Sequence, residues 1–450
     1  MNPQEISHYA RIKGLNIVGT GDFTHPNWLE ELKRELRPSP NEGLYQLTQS
    51  KQTDTICFIP SAEVSTIFDF QNRSRKVHHV ILAPDLETAS SINERLGKFG
   101  NLSSDGRPTL DMSAPELVEE IVSTSKDSMI FPAHAWTPWF SVFGAFSGFD
   151  SLEECYQDMT KHIHALETGL SSDPPMNWRL SALDRYTLLS NSDSHSAWPW
   201  RIGREANVFD LPSLSYSEIC DAIRSRDRGR LVFTIETDPK YGKYHWTGHR
   251  PGRYLHGADA LKNLTLPDEL RGFFNVESEG VGFSIPPQMT KSITSCPICK
   301  RKLTKGVEDR VEELADRPLG FKPSRAAGFV HLLPLSEILA TVLKAERPDS
   351  TKVWNHYNQL IARFGDEFST LLEADFESIR AVTSDEVAET IIAVRSDTIR
   401  VRAGYDGYYG KLNLSTDSKQ TSRAGENDSL FDICVKQEKK KDISLCDFMS

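Results

Sequence analysis

The chain has 450 residues, 38% hydrophobic and 26% charged, with a formal net charge of −11 at neutral pH, the balance of a folded globular protein with room for two or three domains. No run approaches the roughly 18 apolar residues a membrane-crossing helix needs, no charged-then-apolar leader opens the chain, and seven scattered cysteines do not form a disulfide framework, so a cytoplasmic protein is expected. The negative charge argues against a surface coated for DNA and leaves room for a local basic groove. In chain order, a helix is predicted over Pro3–Lys13, then an apolar run at 15–25 (LNIVGTGDFTH). A helix over 26–36 starts on Pro, which suits a first turn. Runs at 55–63 (TICFIPSAE) and 76–85 (KVHHVILAPD) follow. Helices are predicted over 86–99 and 113–126, the second opened by a Ser-Ala-Pro-Glu cap. Three more runs, 128–134 (SMIFPAH), 163–167 (IHALE) and 186–195 (YTLLSNSDSH), alternate with helices over 151–161, 178–185 and 215–226.

Strand alternating with helix predicts an α/β barrel or a doubly wound sheet. The six apolar runs each end in Asp, Glu or His, and C-terminal strand ends converge on one mouth in a barrel, which favours that architecture. Carboxylates and imidazoles at strand ends are what a multi-metal hydrolase needs. Asp193 and His195, two apart on an extended segment, point to one side. Asp22 and His25 flank a turn. Glu63, His78, His79 and His134 end three more strands. Neighbours alternate, so only one of His78 and His79 faces the mouth, and His79 is taken as the ligand. His162 and His164 share a face but open their strand.

Beyond Asp238 the pattern changes. Residues 241–249 (YGKYHWTGH) are aromatic and His-bearing, and a Gly- and Pro-punctuated stretch runs to Cys296 and Cys299. Helices are predicted over 335–345, Thr351–Phe364, 366–373, 376–381 and 384–394, then a hairpin of 397–401 with 405–412 around Gly404 and Gly407. The polar tail reads as disordered, with one apolar island at 429–432 that would dock on a partner such as a sliding clamp.

The spans GLNIVGTGDFTHPNWLEEL, IPSAEVSTIF, HHVILAPDLE, FPAHAWTPWFSVFG, ALETGLSSDPPMNWRLSALD and LLSNSDSHS resemble endonuclease Q, a family of the polymerase-and-histidinol-phosphatase (PHP) phosphoesterases. The likeness continues through GKYHWTGHR, CPICKRKLTKGVEDRVEELADRP and AGYDGYYGKL. It implies an α/β fold: a distorted (β/α)7 PHP-type barrel over 1–237, a zinc-binding module over 238–322 and a helical C-terminal domain over 323–414, before the tail at 415–450. It also implies two or three divalent metals in the barrel, zinc or manganese, with magnesium an alternative. The implied activity is cleavage of DNA 5′ to a deaminated base (uracil, hypoxanthine, xanthine) or an abasic site.

Carried over by motif, the metal ligands are Asp22, His25, Glu63, His79, His134, Asp193 and His195, all but His79 also taken as catalytic. Trp136, Trp139 and Phe140 would line the approach and stack on an extruded base, or else pack their own loop. Arg204 would clamp phosphate or serve the surface. His245, His249, Cys296 and Cys299 are the candidate structural zinc ligands, with the fourth ligand open. Two departures stand out. The family opens with a D-L-H-I-H strand, and this sequence starts just past it, so a barrel short of its first strand and an impaired enzyme are expected. The family's Cys after GHR is replaced by Pro251-Gly252. The competing readings are a small-molecule phosphatase and a DNA-damage binder without catalysis.

Overall fold

The computed structural model describes residues 1–49, 56–104, 106–250, 268–277, 280–297 and 299–413. The tail, with its island at 429–432 and the expected clamp contact, lies outside the described residues, as do Pro251 and Gly252. Local chemistry explains several helix boundaries. Helix Pro3–Lys13 starts on a reciprocal box between Asn2 and Glu5 and stops at Gly14 in the left-handed region, φ 96°. Helix Ala114–Thr124 opens on the Ser113–Glu116 box. Helix Thr351–Phe364 is capped by Ser350 and buries Val353, Tyr357 and Leu360 along one stripe, the spacing of an amphipathic helix.

The expectation was a distorted (β/α)7 barrel short of its first strand; the sheets close no barrel among the described residues. Among the described residues the strands form separate open sheets. Ile17–Gly19 runs parallel to Cys57–Ile59, and Ala165–Glu167 parallel to Thr187–Leu189, as βα units would have it. Between them stands an antiparallel hairpin, Ser61–Phe70 with Arg73–Leu82, joined at its second strand by Met129–Pro132. A long hairpin needs no crossover helix, so it interrupts the strand–helix alternation expected of a (β/α) barrel. The run at 76–85 is therefore the interior and end of a strand, and His78 and His79 lie inside the ladder.

A parallel pairing farther along the chain was not expected. Leu231–Glu236 lies between Ala206–Phe209 and Gly328–His331, so the chain returns from the expected zinc region to complete this sheet. The helices beyond it bury Leu335, Ile338, Tyr357, Leu360 and Ile391 in a core that also takes in Ile235. The main core holds Leu32, Phe58, Trp136, Phe149 and Tyr156. Thr247–His249 pairs with Gly280–Ile285 over a small core of Phe283, Ile285, Cys296 and Leu303. The terminal hairpin is Arg400–Arg402 with Lys411–Asn413. No helix among the described residues is long and apolar enough to cross a membrane.

One buried ion pair joins the first helix to the C-terminal helices. Lys13 Nζ lies 2.6 Å from Glu367 Oε1 and donates to the Pro199 carbonyl at 2.8 Å. Glu367 also accepts the Leu335 N–H at 2.9 Å and the Tyr357 hydroxyl at 2.8 Å. A buried pair is strongly destabilising when one partner is removed, by about 3–5 kcal/mol, because the other charge is stranded. Lys13→Met is therefore expected to lower the denaturation midpoint sharply in urea, and Lys13→Met with Glu367→Gln to recover most of the loss. An unchanged midpoint in the single variant would show the pair to be dispensable.

Candidate metal centre

The centre is built on the hairpin. Its turn residues Gln71 and Asn72 have φ 50° and 59°, the left-handed twist that two-residue hairpin turns require. From that turn Glu63 faces Val80, Ser65 faces His78 and Val64 faces His79 across the ladder. Alternate residues share a face, so Glu63 and His78 look to one side while Val64 and His79 look to the other.

His78 Nδ1 lies 2.9 Å from Glu63 Oε1, and His134 Nε2 lies 3.3 Å from the same oxygen. The two imidazole nitrogens are 3.1 Å apart. A tetrahedral ion with bonds of about 2.1 Å spaces its ligand atoms about 3.4 Å apart, so this triangle fits the face of such a polyhedron. Glu63 Oε1 is buried and has no well-aligned hydrogen bond despite these neighbours. The ligand atoms of the three groups lie within 4.8 Å of one another, and the two rings are within hydrogen-bond distance of each other.

Electrostatics match that donor set. Burial opposes the charge of Glu63, but contacts with His134 and His78 hold its carboxyl well below the usual range. Burial pushes His78 down. Burial also opposes His134, yet Glu63, Asp193 and Glu167 raise it. Behind it, Glu167 accepts the His134 N–H at 2.7 Å and the Asn191 amide at 2.8 Å, and burial raises its carboxyl to about 7.

The remaining candidate ligands border this triangle. Arg107 bridges to Asp193: its Nε lies 2.6 Å from Glu63 Oε1 and its Nη2 2.6 Å from Asp193 Oδ1. Asp22 feels Glu63, Arg107, His195 and His25, and burial raises its carboxyl. His25 opens helix Pro26–Glu35 without using its ring as a cap. His195 is exposed, its Nδ1 2.9 Å from the Asp193 carbonyl. Asp22, His134 and Asp193 have φ 44°, 26° and 43°, the left-handed region that non-glycine residues avoid and that recurs at functional sites.

Several expected roles are corrected. His79 faces the core, its Nε2 2.9 Å from Thr66 Oγ1 and its Nδ1 2.9 Å from the Tyr156 hydroxyl; burial drives its pKa to about 3. His78 is the histidine that shares the cluster with Glu63 and His134. Trp136 is buried and donates its indole N–H to Asn177 at 2.8 Å, so it cannot stack on a base. Arg204 is buried against Glu337 at 3.2 Å and is neither a surface group nor a phosphate clamp. Phe140 packs its ring 4.9 Å from that of His78, and Trp139 is exposed.

Arg107 was not anticipated, and His78 was set aside in favour of His79. The face shared with Glu63 would have identified His78 had the hairpin been recognised; no signal pointed to Arg107, which lies 86 residues from Asp193. A second cluster joins His249, Cys296 and Cys299, whose ligand atoms lie within 4.8 Å of one another. His245 stands apart, its Nε2 3.3 Å from Glu308.

Comparisons follow the same lines. Residues 334–398 match the family described as the MJ0043 C-terminal domain. Uncharacterized protein MJ0043 of Methanocaldococcus jannaschii is 28% identical over 286 residues, 62% of this chain but only 31% of that protein's length. Uncharacterized protein YqxK of Bacillus subtilis is 26% identical over 406 residues, 89% of each chain. The crystal structure of PfuEndoQ, a lesion-specific endonuclease from Pyrococcus furiosus, superposes with a TM-score of 0.75 at 31% identity, covering 94% of this chain and 92% of that one. An endonuclease Q complex with a 27-mer duplex carrying an abasic lesion at its active site gives 0.74 at 31% identity, covering 93% and 92%.

Two tests separate these positions. His78→Ala is expected to abolish calorimetric binding of Mn²⁺ or Zn²⁺ at the centre with little change in unfolding temperature. His79→Ala should chiefly lower that temperature, and the reverse outcome would restore His79 as the ligand. Gly169, at φ 64°, would bring an added Cβ within 2.7 Å of the His134 Cβ, so Gly169→Ala should weaken metal binding at least tenfold and cost roughly 1–2 kcal/mol of stability.

Proposed function

Because the chain belongs to the endonuclease Q family, we propose that it is a metal-dependent DNA-repair endonuclease that hydrolyses the phosphodiester 5′ to a deaminated base or an abasic site. The observation that carries this reading is the cluster of Glu63, His78 and His134, whose ligand atoms lie within 4.8 Å of one another, with Arg107 linking Glu63 to Asp193. Two imidazoles and a carboxylate suit a zinc- or manganese-class ion, with Asp22, His25, Asp193 and His195 as the further ligands. Such an ion supplies Lewis-acid neutralisation of phosphate charge and acidifies a water.

The chain's own groups do the rest. Glu167, fixed by the His134 N–H and the Asn191 amide, orients His134 from behind. Arg107 lies against Glu63 and Asp193 and has a planar fork suited to a phosphate. Phe140 walls His78 on one flank and excludes water there. His249, Cys296 and Cys299 hold a structural zinc that braces the strand Thr247–His249. Uracil, hypoxanthine and xanthine are the deaminated bases to be tested first. A small-ester phosphatase would have no use for Trp139 and Phe146, two large exposed aromatic side chains in the loop that follows His134.

The experiment is a nicking assay on duplexes carrying uracil, inosine or an abasic site, with Mn²⁺, Mg²⁺ or Zn²⁺. A single nick 5′ to the lesion is expected, falling at least a hundredfold in Glu63→Gln and in Asp193→Asn. Hydrolysis of small phosphate esters alone, or lesion binding without a nick under every metal, would overturn the reading.

A further inference from the structure

We propose that Trp139 and Phe146 form a rigid wedge that enters the base stack of duplex DNA and fills the gap left when the damaged nucleotide is drawn to the metal centre. The inference rests on the reading of the chain as a DNA endonuclease. Trp139 is 41% exposed and Phe146 49% exposed, unusual for such large apolar side chains in a loop whose Trp136, Val142, Phe143 and Phe149 are buried. Their rings stack on each other, centroids 4.9 Å apart and planes 16° apart. Tyr244 props the Trp139 ring edge-on at 5.3 Å.

The pair is held stiffly. Phe146 donates its N–H to the Pro138 carbonyl at 3.0 Å, Phe143 to Ala135 at 2.9 Å and Gly148 to Gly144 at 2.9 Å. Phe140 donates its N–H to Ser147 Oγ at 2.9 Å. The same loop is bolted to the metal centre, because the Phe140 carbonyl accepts the His78 N–H at 3.0 Å. A wedge and a cleavage site on one rigid body keep a fixed spacing, which is what cutting beside an extruded nucleotide requires.

Charge selects the occupant. Lys76 Nζ stands 5.2 Å from the Phe140 ring, and Lys243, the neighbour of Tyr244, stands 4.7 Å from the Tyr409 ring. Lys76 lies against Phe140, the neighbour of Trp139, and its N–H bonds to Ser147, the neighbour of Phe146; two cations next to the residues that hold this apolar pair, in a chain of net charge −11, suit the phosphates beside an opened base step. An apolar protein partner would gain nothing from them.

The test uses the full chain with its metals retained, an abasic duplex carrying 2-aminopurine beside the lesion and a non-hydrolysable phosphonate at the linkage 5′ to it, and the same lesion strand alone. The wild type should raise 2-aminopurine fluorescence on binding the duplex. Trp139→Ala with Phe146→Ala should lose that rise and weaken duplex binding at least tenfold more than single-strand binding, with circular dichroism and the unfolding midpoint unchanged; Trp139→Phe should keep the rise. Retention of both the rise and the duplex preference in the double variant overturns the wedge alone. A wild type that binds neither DNA overturns the endonuclease reading and the wedge with it. A wild-type dimer in sedimentation that dissociates in the double variant assigns the pair to a second copy and likewise overturns the wedge.

Discussion

The register of the hairpin Ser61–Phe70 with Arg73–Leu82 is the constraint on which the metal centre depends. A slip of one residue exchanges the two faces of a strand, and here it would send His78 into the core and bring His79 beside Glu63. What prevents the slip is His79 itself. Its two ring nitrogens lie between Thr66 Oγ1 and the Tyr156 hydroxyl, one able to donate and the other to accept only if the ring is neutral. With its pKa driven to about 3 by burial, the ring is neutral across ordinary pH. The core histidine acts as a register pin, and His78 is a ligand candidate because His79 is not. The ladder passes the register on: Pro132 faces His79, and the Ala133 N–H bonds to the His78 carbonyl at 3.0 Å. That contact sets His134, one residue later.

Charge balance is the second constraint. Glu63, Asp22 and Asp193 crowd one mouth, with Glu167 beneath, and unpaired carboxylates in such a place drift toward protonation. Asp22 and Glu167 do so, chiefly through burial. Glu63 does not, because two imidazoles and a guanidinium reach its oxygen. The mouth therefore keeps at least one firmly ionised carboxylate among groups that exchange protons more readily. That is an arrangement suited to gripping a cation and to moving a proton nearby.

How much of this was legible varies with the physics involved. Helices Pro3–Lys13 and Thr351–Phe364 carry their caps and stripes in the local sequence, so their limits could be read directly. The hairpin could not, because its turn is Gln71-Asn72 rather than a glycine pair and its two strands read as the ends of separate runs. From that one gap came the choice of His79 over His78. Trp136 and Trp139 differ in burial although three residues apart in one loop, and no periodicity distinguishes them there. Arg204 found Glu337 133 residues away, a pairing that only folding reveals. The family resemblance rested on whole motifs and survived these local errors.

The C-terminal helices bear on the centre through backbone rather than through ligands. The segment carrying Asp193 and His195 is tied down at its start: the Asn207 side chain bonds to the Ser190 amide and carbonyl at 2.9 Å each, and Ser192 Oγ donates to the Glu205 carbonyl at 2.9 Å. Asn207 belongs to Ala206–Phe209, which pairs with Leu231–Glu236, and that strand in turn pairs with Gly328–His331. Arg204, one residue from Glu205, is anchored on Glu337 of the helix Leu335–Val342. Lys13 and Glu367 close the circuit from the first helix. Asp193, in a strained left-handed conformation, keeps its place only while surrounding structure over-determines it. The helical domain is thus part of what holds the carboxylate in the mouth, and the metal centre is a property of the whole described chain rather than of its first half.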